Sequence, residues 1–583
     1  MECFSIDSTR DRVGLAGPLC LVTWTAIVVF LSLPASAQTL PLAQLITVDV
    51  PAVQASGDFL LDGAPTPPTS AEIGELSLDG LFGPETATPV GATPQQGYGP
   101  TWIVPGSYRP IYRLIASFTA QLPLNARAAL GPAVVVDGSA PLDFELETVE
   151  LTLELMLDGL PFPSASGEQA MLWLRDVETG EEFPIGSAGA GPAVFRVLPG
   201  TYDLVYGYVA GDLLPLNSHA VIAPAVDLSV DRPLTIDLRT LVHAVSATLN
   251  GAPFPSSPYE HGTIRLENFE TGDVISWGPT HVPAGLQRIL PGTYDVTYAH
   301  QNGNLIVPLN QHAVVAEDVE IALPVVKNQI SFSAIDVQAE PVDRVITLDG
   351  AAFPASAYER GDLVLVGEQD DEVPLGATHV DPGTIQVVSG RYDVHYRWRN
   401  GSSLVPRNEN VRVRQAFRVN GPTTLALDIE TVEVDFEFLL DGVPFPASAY
   451  ERGDFTLIGE TPGDRLPIGS SSELQANVRI VPGSYDVEYD YVTGSSIVPR
   501  NQAQIMETDL ELLTTQARAL EVETLVVVPT FLQNGLPFPE SAADRGEIRL
   551  SAPGGGVLPL GETDEVLPES VIAIQGAYRM EYG

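Results

Sequence analysis

The chain has 583 residues, 44% of them hydrophobic and only 18% charged, yet its net charge is −46. That length is too great for one hydrophobic core and implies roughly three to six domains. The acidity argues against nucleic-acid binding, because phosphates would be repelled rather than neutralised. With 52 Gly, 50 Pro and no sustained i, i+3, i+4 pattern, many short strands and turns are expected instead of helices.

Residues 1–37 read as a signal peptide. Arg10 and Arg12 precede an apolar run over residues 19–33, and Ala35-Ser36-Ala37 is an A-x-A cleavage site, so the mature chain is expected to start at Gln38. The run is short for a membrane span and closes on small residues, which favours cleavage over anchoring. Cys20 opens that run behind Leu19, a poor setting for a lipoprotein cysteine. No later segment is apolar enough to cross a bilayer as a helix, so the mature chain is expected to be secreted, at the cell surface or in a periplasm. Both cysteines, Cys3 and Cys20, fall in the signal, leaving the mature protein without disulfides, thiolate nucleophiles or cysteine metal ligands. The acid is spread along the whole chain, which reads as solubility more than as a cation site.

Three markers then recur. An Asp-Gly or Asn-Gly pair stands at Asp62-Gly63, Asp158-Gly159, Asn250-Gly251, Asp349-Gly350, Asp441-Gly442 and Asn534-Gly535, at spacings of 92 to 99 residues. Each is followed, 40 to 43 residues on, by the glycine of a Gly-x-Tyr turn, as in Pro199-Gly200-Thr201-Tyr202-Asp203 and Pro482-Gly483-Ser484-Tyr485-Asp486. A Pro-x-Asn triplet follows at Asn125, Asn217, Asn310, Asn408 and Asn501. A period of this size exceeds the roughly 20 to 50 residues of a solenoid repeat and suits a small domain. The reading is a string of independent beads: residues 38–146 (with an N-terminal lead), 147–238, 239–337, 338–429, 430–522 and a partial sixth over 523–583. The sixth lacks the last marker, which suggests a longer parent protein.

The fifth unit shows the local logic. Val432, Val434, Phe436 and Phe438 alternate with Glu433, Asp435 and Glu437, the period of a strand with one buried face. Asp441-Gly442 turns the chain, and Phe445, between two prolines, is the expected core plug. Arg452-Gly453-Asp454 leads into a strand. A second alternating strand carries Tyr485, Val487, Tyr489 and Tyr491 inward and Asp486, Glu488 and Asp490 outward. About seven short strands per unit predict an all-β fold, a tandem array of antiparallel β-sandwiches of transthyretin-like or immunoglobulin-like kind.

The stretches FRVLPGTYDLVY (195–206), QRILPGTYDVTY (287–298) and VRIVPGSYDVEY (478–489) resemble the signature of bacterial transthyretin-like sandwiches. These include carboxypeptidase regulatory-like domains and the B-type domains of collagen adhesins. The resemblance extends over nearly the whole mature chain and implies the fold more than any function. It also implies an internal Lys–Asn isopeptide bond, but Lys327 is the only lysine, so no such crosslinks are expected.

The Arg-Gly-Asp of 452–454 and 360–362 spells an adhesion signal. Between Leu348 and Leu440 as starting points, sixteen of twenty-one positions are identical, so one duplication accounts for both copies. The third copy reads His261-Gly262-Thr263 and the sixth Arg545-Gly546-Glu547, while the second and first align through Gly167 and Gly74. Glycine is thus the expected common element, a turn or bulge before a strand, with positive φ at Gly453 as the reason for it.

Chemistry is sparse. His219 and His312 occupy matched positions, as do His281 and His379, and all four read as exposed loop residues. There is no H-E-x-x-H, G-x-S-x-G or P-loop. No catalytic, cofactor-binding or metal-ligating residue is therefore assigned and no cofactor is expected; calcium at Asp370-Asp371-Glu372 or Asp464 is an unsupported option without a D-x-D-x-D-G loop. The expected function is a secreted, monomeric, non-enzymatic stalk or interaction array meeting an extracellular protein or glycan. The alternatives are a glycan- or peptide-binding repeat protein, which an aromatic repeated at one loop would favour, and the non-catalytic part of a larger secreted enzyme. Trp173, Trp277 and Trp398 fall at different places and supply no such platform.

Overall fold

A computed structural model describes residues 43–583 apart from 70–71, 81–86, 118–120, 139–140, 190, 283–284, 304–305, 325–329, 382, 402–403, 495–496, 540–544 and 564–569. The signal peptide, both cysteines and Lys327 lie outside the described residues. Among those residues the chain is β-strand and turn, with only three-residue 3-10 turns at Thr93–Gln95, Glu368–Asp370 and Ser471–Glu473.

The fifth unit is two four-stranded sheets packed face to face. One sheet holds Val432–Leu440 at its centre, flanked by Gln475–Ile480 and Gln516–Val522, with the short strand Val443–Pro444 across the hairpin. The other runs Arg465–Ser470, Arg452–Gly459, Gly483–Thr493, Gln504–Leu512. Val432, Val434, Phe436 and Phe438 are buried while Asp435 and Glu437 face water, as the period of two requires. Phe445 is buried and meets Phe455 edge-on at 5.9 Å, and Phe455 stacks on Phe438 at 4.5 Å. Asp441 and Gly442 have φ of 49° and 77°, the two left-handed residues of a type I′ hairpin. All pairings in this unit are antiparallel except one. The first and last strands run parallel, with Val434 opposite Gln516 and Leu440 opposite Val522.

Two residues of the tyrosine strand behave differently from their alternation. Glu488 is buried, because the strand is flanked on both sides and Arg465 reaches across to pair with its carboxylate. The Asp486 side chain accepts the backbone N–H of Asp509 at 2.9 Å, where φ is 56°. Asp203, Asp295 and Asp393 do the same for Ala225, Asp318 and Ala416, each at positive φ. The aspartate after the tyrosine thus clamps a bulge in the next strand.

The plan repeats, and each of six hydrophobic clusters is centred in one unit. The sixth unit contains Thr524–Gln533, Leu536–Pro537, Glu547–Ser551, Val557–Glu562, Val571–Ile574 and Arg579–Tyr582. Its sheet includes one further strand, and here the expected boundary is corrected. Ala43–Val50, read as the lead of the first unit, pairs in parallel with Thr524–Gln533 in the sixth, because Val48 and Val50 fill that core.

Candidate functional site: the joint between units

The repeat markers meet one another across unit boundaries. Asn408 stands between two strands of the fourth unit, Gly390–Asn400 and Val411–Val419, yet its side chain is fully buried in contact with the fifth. Its amide donates to the Tyr485 hydroxyl at 2.9 Å and to Asp464 at 3.0 Å, and its carbonyl oxygen accepts the N–H of Val481 at 2.9 Å. Asn217 makes the same three contacts with Tyr294, Asp273 and Leu290, and Asn310 with Tyr392, Asp371 and Val388. Asn125 reaches Tyr202 and Leu198, and Asn501 reaches Tyr578 and Ile574. Beside each latch at least one backbone rung crosses the boundary, as from Arg407 N–H to the Arg479 carbonyl at 3.0 Å. Asparagine suits the place because its amide presents two N–H donors and one acceptor oxygen on one short stem, where a hydroxyl has a single donor.

Apolar contact follows the same direction. Leu198, Leu290, Val388, Val481 and Ile574, each just ahead of the turn, pack against the core of the preceding unit. The units are therefore interlocked rather than independent beads, and five of the six second-marker tyrosines, Tyr202, Tyr294, Tyr392, Tyr485 and Tyr578, have the hydroxyl satisfied twice. Tyr485, for example, also donates to the Val481 carbonyl at 2.5 Å.

The Asp-Gly turns tie a second seam. Asp441 accepts the N–H of Thr524 at 2.7 Å and its hydroxyl at 2.6 Å. Asp62, Asp158 and Asp349 hold Thr148, Thr240 and Thr431 in the same way. Where the next unit offers alanine, which has no hydroxyl, the turn residue is asparagine. Asn250 accepts the Ala339 N–H and donates to its carbonyl, both at 2.8 Å. An arginine of the following unit completes three of the four aspartate seams: Arg196 on Asp62, Arg288 on Asp158 and Arg479 on Asp349.

Electrostatics at the latch are set by burial. Loss of water pushes the Asp371 and Asp464 carboxyls above the ordinary carboxylate range, against hydrogen bonds that pull them down. Asp371 receives Asn310 and the N–H of His312; Asp464 receives Asn408 and the N–H of Asn410. Their oxygens are thus committed to nitrogen donors, and Glu372 is paired with Arg397. Among the described residues no three His, Asp or Glu side chains are grouped to hold a metal ion.

The histidines are not free loop residues. His219 pairs with Glu182 at 2.8 Å and His312 with Glu267 at 2.7 Å. His281 is half-buried with its ring 4.4 Å from that of His261, and His379 is half-buried as well.

The Arg-Gly-Asp segments open strands rather than loop tips. Pairing with Gly483–Thr493 shifts register between Arg452 and Gly453, a bulge. Gly453 is not in the left-handed region; a Cβ there would stand 2.3 Å from the Tyr489 ring. The glycine is needed for close approach, not for positive φ. Its N–H donates to the Ser471 hydroxyl at 3.1 Å, and Gly262, Gly361 and Gly546 use Thr280, Thr378 and Thr563 likewise. In the second unit the residue at this bulge is Ala170, not Gly167, so glycine is not universal. Asp362 is engaged by Arg399 at 2.7 Å.

Immediately before this bulge stands a feature the sequence reading passed over. Tyr259, Tyr358 and Tyr450 occupy one position in three successive units and are 76%, 78% and 83% exposed. The glutamates that follow them, Glu260, Glu359 and Glu451, accept the N–H groups of Ile306, Leu404 and Ile497, whose side chains are also exposed. The signal in the sequence is the Tyr-Glu pair repeated at 259–260, 358–359 and 450–451.

No protein-family model matches the chain, and no curated protein matches it in sequence. Solved structures similar to it include the Bacillus anthracis TIE protein, 10% identical over 65% of this chain and 74% of its own, with a TM-score of 0.15. Two B repeat units of the collagen-binding protein CNA of Staphylococcus aureus are 11% identical over 62% and 97%, with a TM-score of 0.14. The full-length RrgB pilus protein of Streptococcus pneumoniae is 9% identical over 61% and 92%, with a TM-score of 0.12. At such scores the likeness carries no argument, and the β-sandwich array rests on its own sheets and cores. Among the described residues no helix is long and apolar enough to cross a membrane.

Proposed function

We propose that the protein is a secreted or cell-surface, non-enzymatic array of transthyretin-like sandwiches that engages an extracellular protein or glycan through repeated weak contacts. The observation that carries this reading is the joint. Each boundary is fixed by a buried asparagine and by an Asp–Thr or Asn–Ala seam, so surface features of successive units are held in constant relation. Contacts too weak to matter singly then add as intramolecular events at high effective concentration. Tyr259, Tyr358 and Tyr450 are the repeated feature that favours a binding array over a bare spacer, since an exposed tyrosine offers a rigid amphipathic face at little entropic cost.

The test is binding of residues 38–583 to immobilised extracellular-matrix proteins and to a glycan panel, with Tyr259→Ala, Tyr358→Ala and Tyr450→Ala singly and together. The triple variant should lose about tenfold or more in apparent affinity and each single variant much less, as avidity requires. A triple variant that binds its target as the wild type does removes the tyrosines from the function.

A further inference from the structure

The strand Ala43–Val50 lies in the sixth unit as the last strand lies in every other. Five units pair their first and last strands in parallel: Leu151 with Arg232, His243 with Ser331, Val342 with Thr423, Val434 with Gln516, and Phe59 with Phe144. In the sixth, Thr524–Gln533 takes Ala43–Val50 in the same direction over eight pairs, from Ala43 opposite Val526 to Val50 opposite Gln533. The turn anchor is also reproduced. Gly535 donates to Asp49 at 2.9 Å, as Gly251 donates to Asp336 and Gly159 to Asp237, both at 2.8 Å.

The seam chemistry identifies this strand as the cognate one. Four turns carry aspartate and face threonine; two carry asparagine. One of the two, Asn250, faces Ala339. The other, Asn534, accepts the N–H of Ala52 at 2.9 Å and donates to its carbonyl at 2.8 Å. Ala52, two residues beyond the N-terminal strand as Thr524 is two beyond Gln516–Val522, is thus the alanine that the sixth turn reads. Opposite the two asparagines the following unit has no arginine either: Gln386 and Trp102 stand where Arg196, Arg288 and Arg479 pair with aspartate. Val104 of the first unit packs against the core of the sixth, as Leu198, Leu290, Val388, Val481 and Ile574 pack against their predecessors.

We propose that the sixth unit carries a strand-binding site whose occupant is this chain's own segment 43–52, and that this segment acts as a clasp closing the array on itself. The boundary between the sixth and first units then shares the Asn–Ala seam and the apolar contact of the other joints. Parallel addition pairs the N–H and C=O groups along one edge of Thr524–Gln533 with those of Ala43–Val50, and Val48 and Val50 join the core beneath it.

Thr47 and Thr530 are opposite one another and both exposed, and the only cysteines of the chain are Cys3 and Cys20. Residues 38–583 carrying Thr47→Cys and Thr530→Cys should therefore form one disulfide within a single chain, read as a monomeric mass by light scattering and as a cross-linked peptide by mass spectrometry. Disulfide-linked multimers would overturn closure within one chain and place the strand in a neighbouring copy. Absence of any crosslink would overturn the seat itself. Asn534→Asp supplies a second reading free of crosslinking geometry. It removes the donor to the Ala52 carbonyl and should raise amide exchange over residues 43–50 about tenfold, the equivalent of one lost hydrogen bond. Adding Ala52→Thr should restore protection. Unchanged exchange in Asn534→Asp, or no recovery in the double variant, defeats the seam as the determinant of the clasp.

Discussion

Single residues in this chain serve contacts that alternation alone does not disclose. Gly453 is the clearest case, because its reason is the Tyr489 ring and not its own φ. The prediction follows from graded bulk. Gly453→Ala should already carry a measurable cost, since its Cβ would stand 2.3 Å from the Tyr489 ring and the ring must shift, but less than a larger residue would, because the second unit holds Ala170 at this bulge. Gly453→Val should destabilise the unit by roughly 1–3 kcal/mol, the usual cost of overpacking, measured by chemical denaturation. Equal costs for the two would show that backbone freedom, not the ring, selects glycine. Asp486 is similar in kind. It looks like one more solvated acid, but it holds the Asp509 N–H at a positive-φ bulge, so its removal leaves a polar group without its partner.

At the scale of strands and seams, the sequence disclosed the elements better than their connections. The two-residue period of Val432–Leu440, the left-handed Asp441-Gly442 pair and the Phe445 plug could all be read directly, because each depends on residues adjacent in the chain. Pro-x-Asn and Gly-x-Tyr were equally visible as markers. Their partnership was not, since Asn408 and Tyr485 are 77 positions apart and lie in different units. Nothing in periodicity tells which unit a side chain will enter. The same holds for Ala43–Val50, whose register partner is some 480 residues away. The seam itself can be tested by exchange. Asp441→Asn alone should destabilise the joint by about 1 kcal/mol, because its amide meets the Thr524 hydroxyl where two acceptors are wanted. Thr524→Ala alone should cost a similar amount. Together they recreate the Asn250–Ala339 pair, and the double variant should be more stable than the sum of the single losses predicts. Simple additivity would mean the two residues act independently.

For the whole molecule, interlocking changes how the array should come apart. Asn408→Ala leaves buried groups on Asp464 and Val481 without partners, at about 1–3 kcal/mol for each orphaned group. The loss should appear in both the fourth and fifth units, seen as a joint drop in their protection from amide exchange. Confinement to one unit would restore the picture of separate beads. The parallel pairing of first and last strands has a mechanical meaning as well. In each complete unit the chain enters along one of these strands and leaves along its neighbour, as with Val432–Leu440 and Gln516–Val522. Tension applied through the chain pulls the start of the first strand one way and the end of the last strand the other. The seven residue pairs from Val434–Gln516 to Leu440–Val522 are then loaded in shear, all at once, instead of being peeled open one after another. A unit built in this way resists force with the full length of its ladder at once.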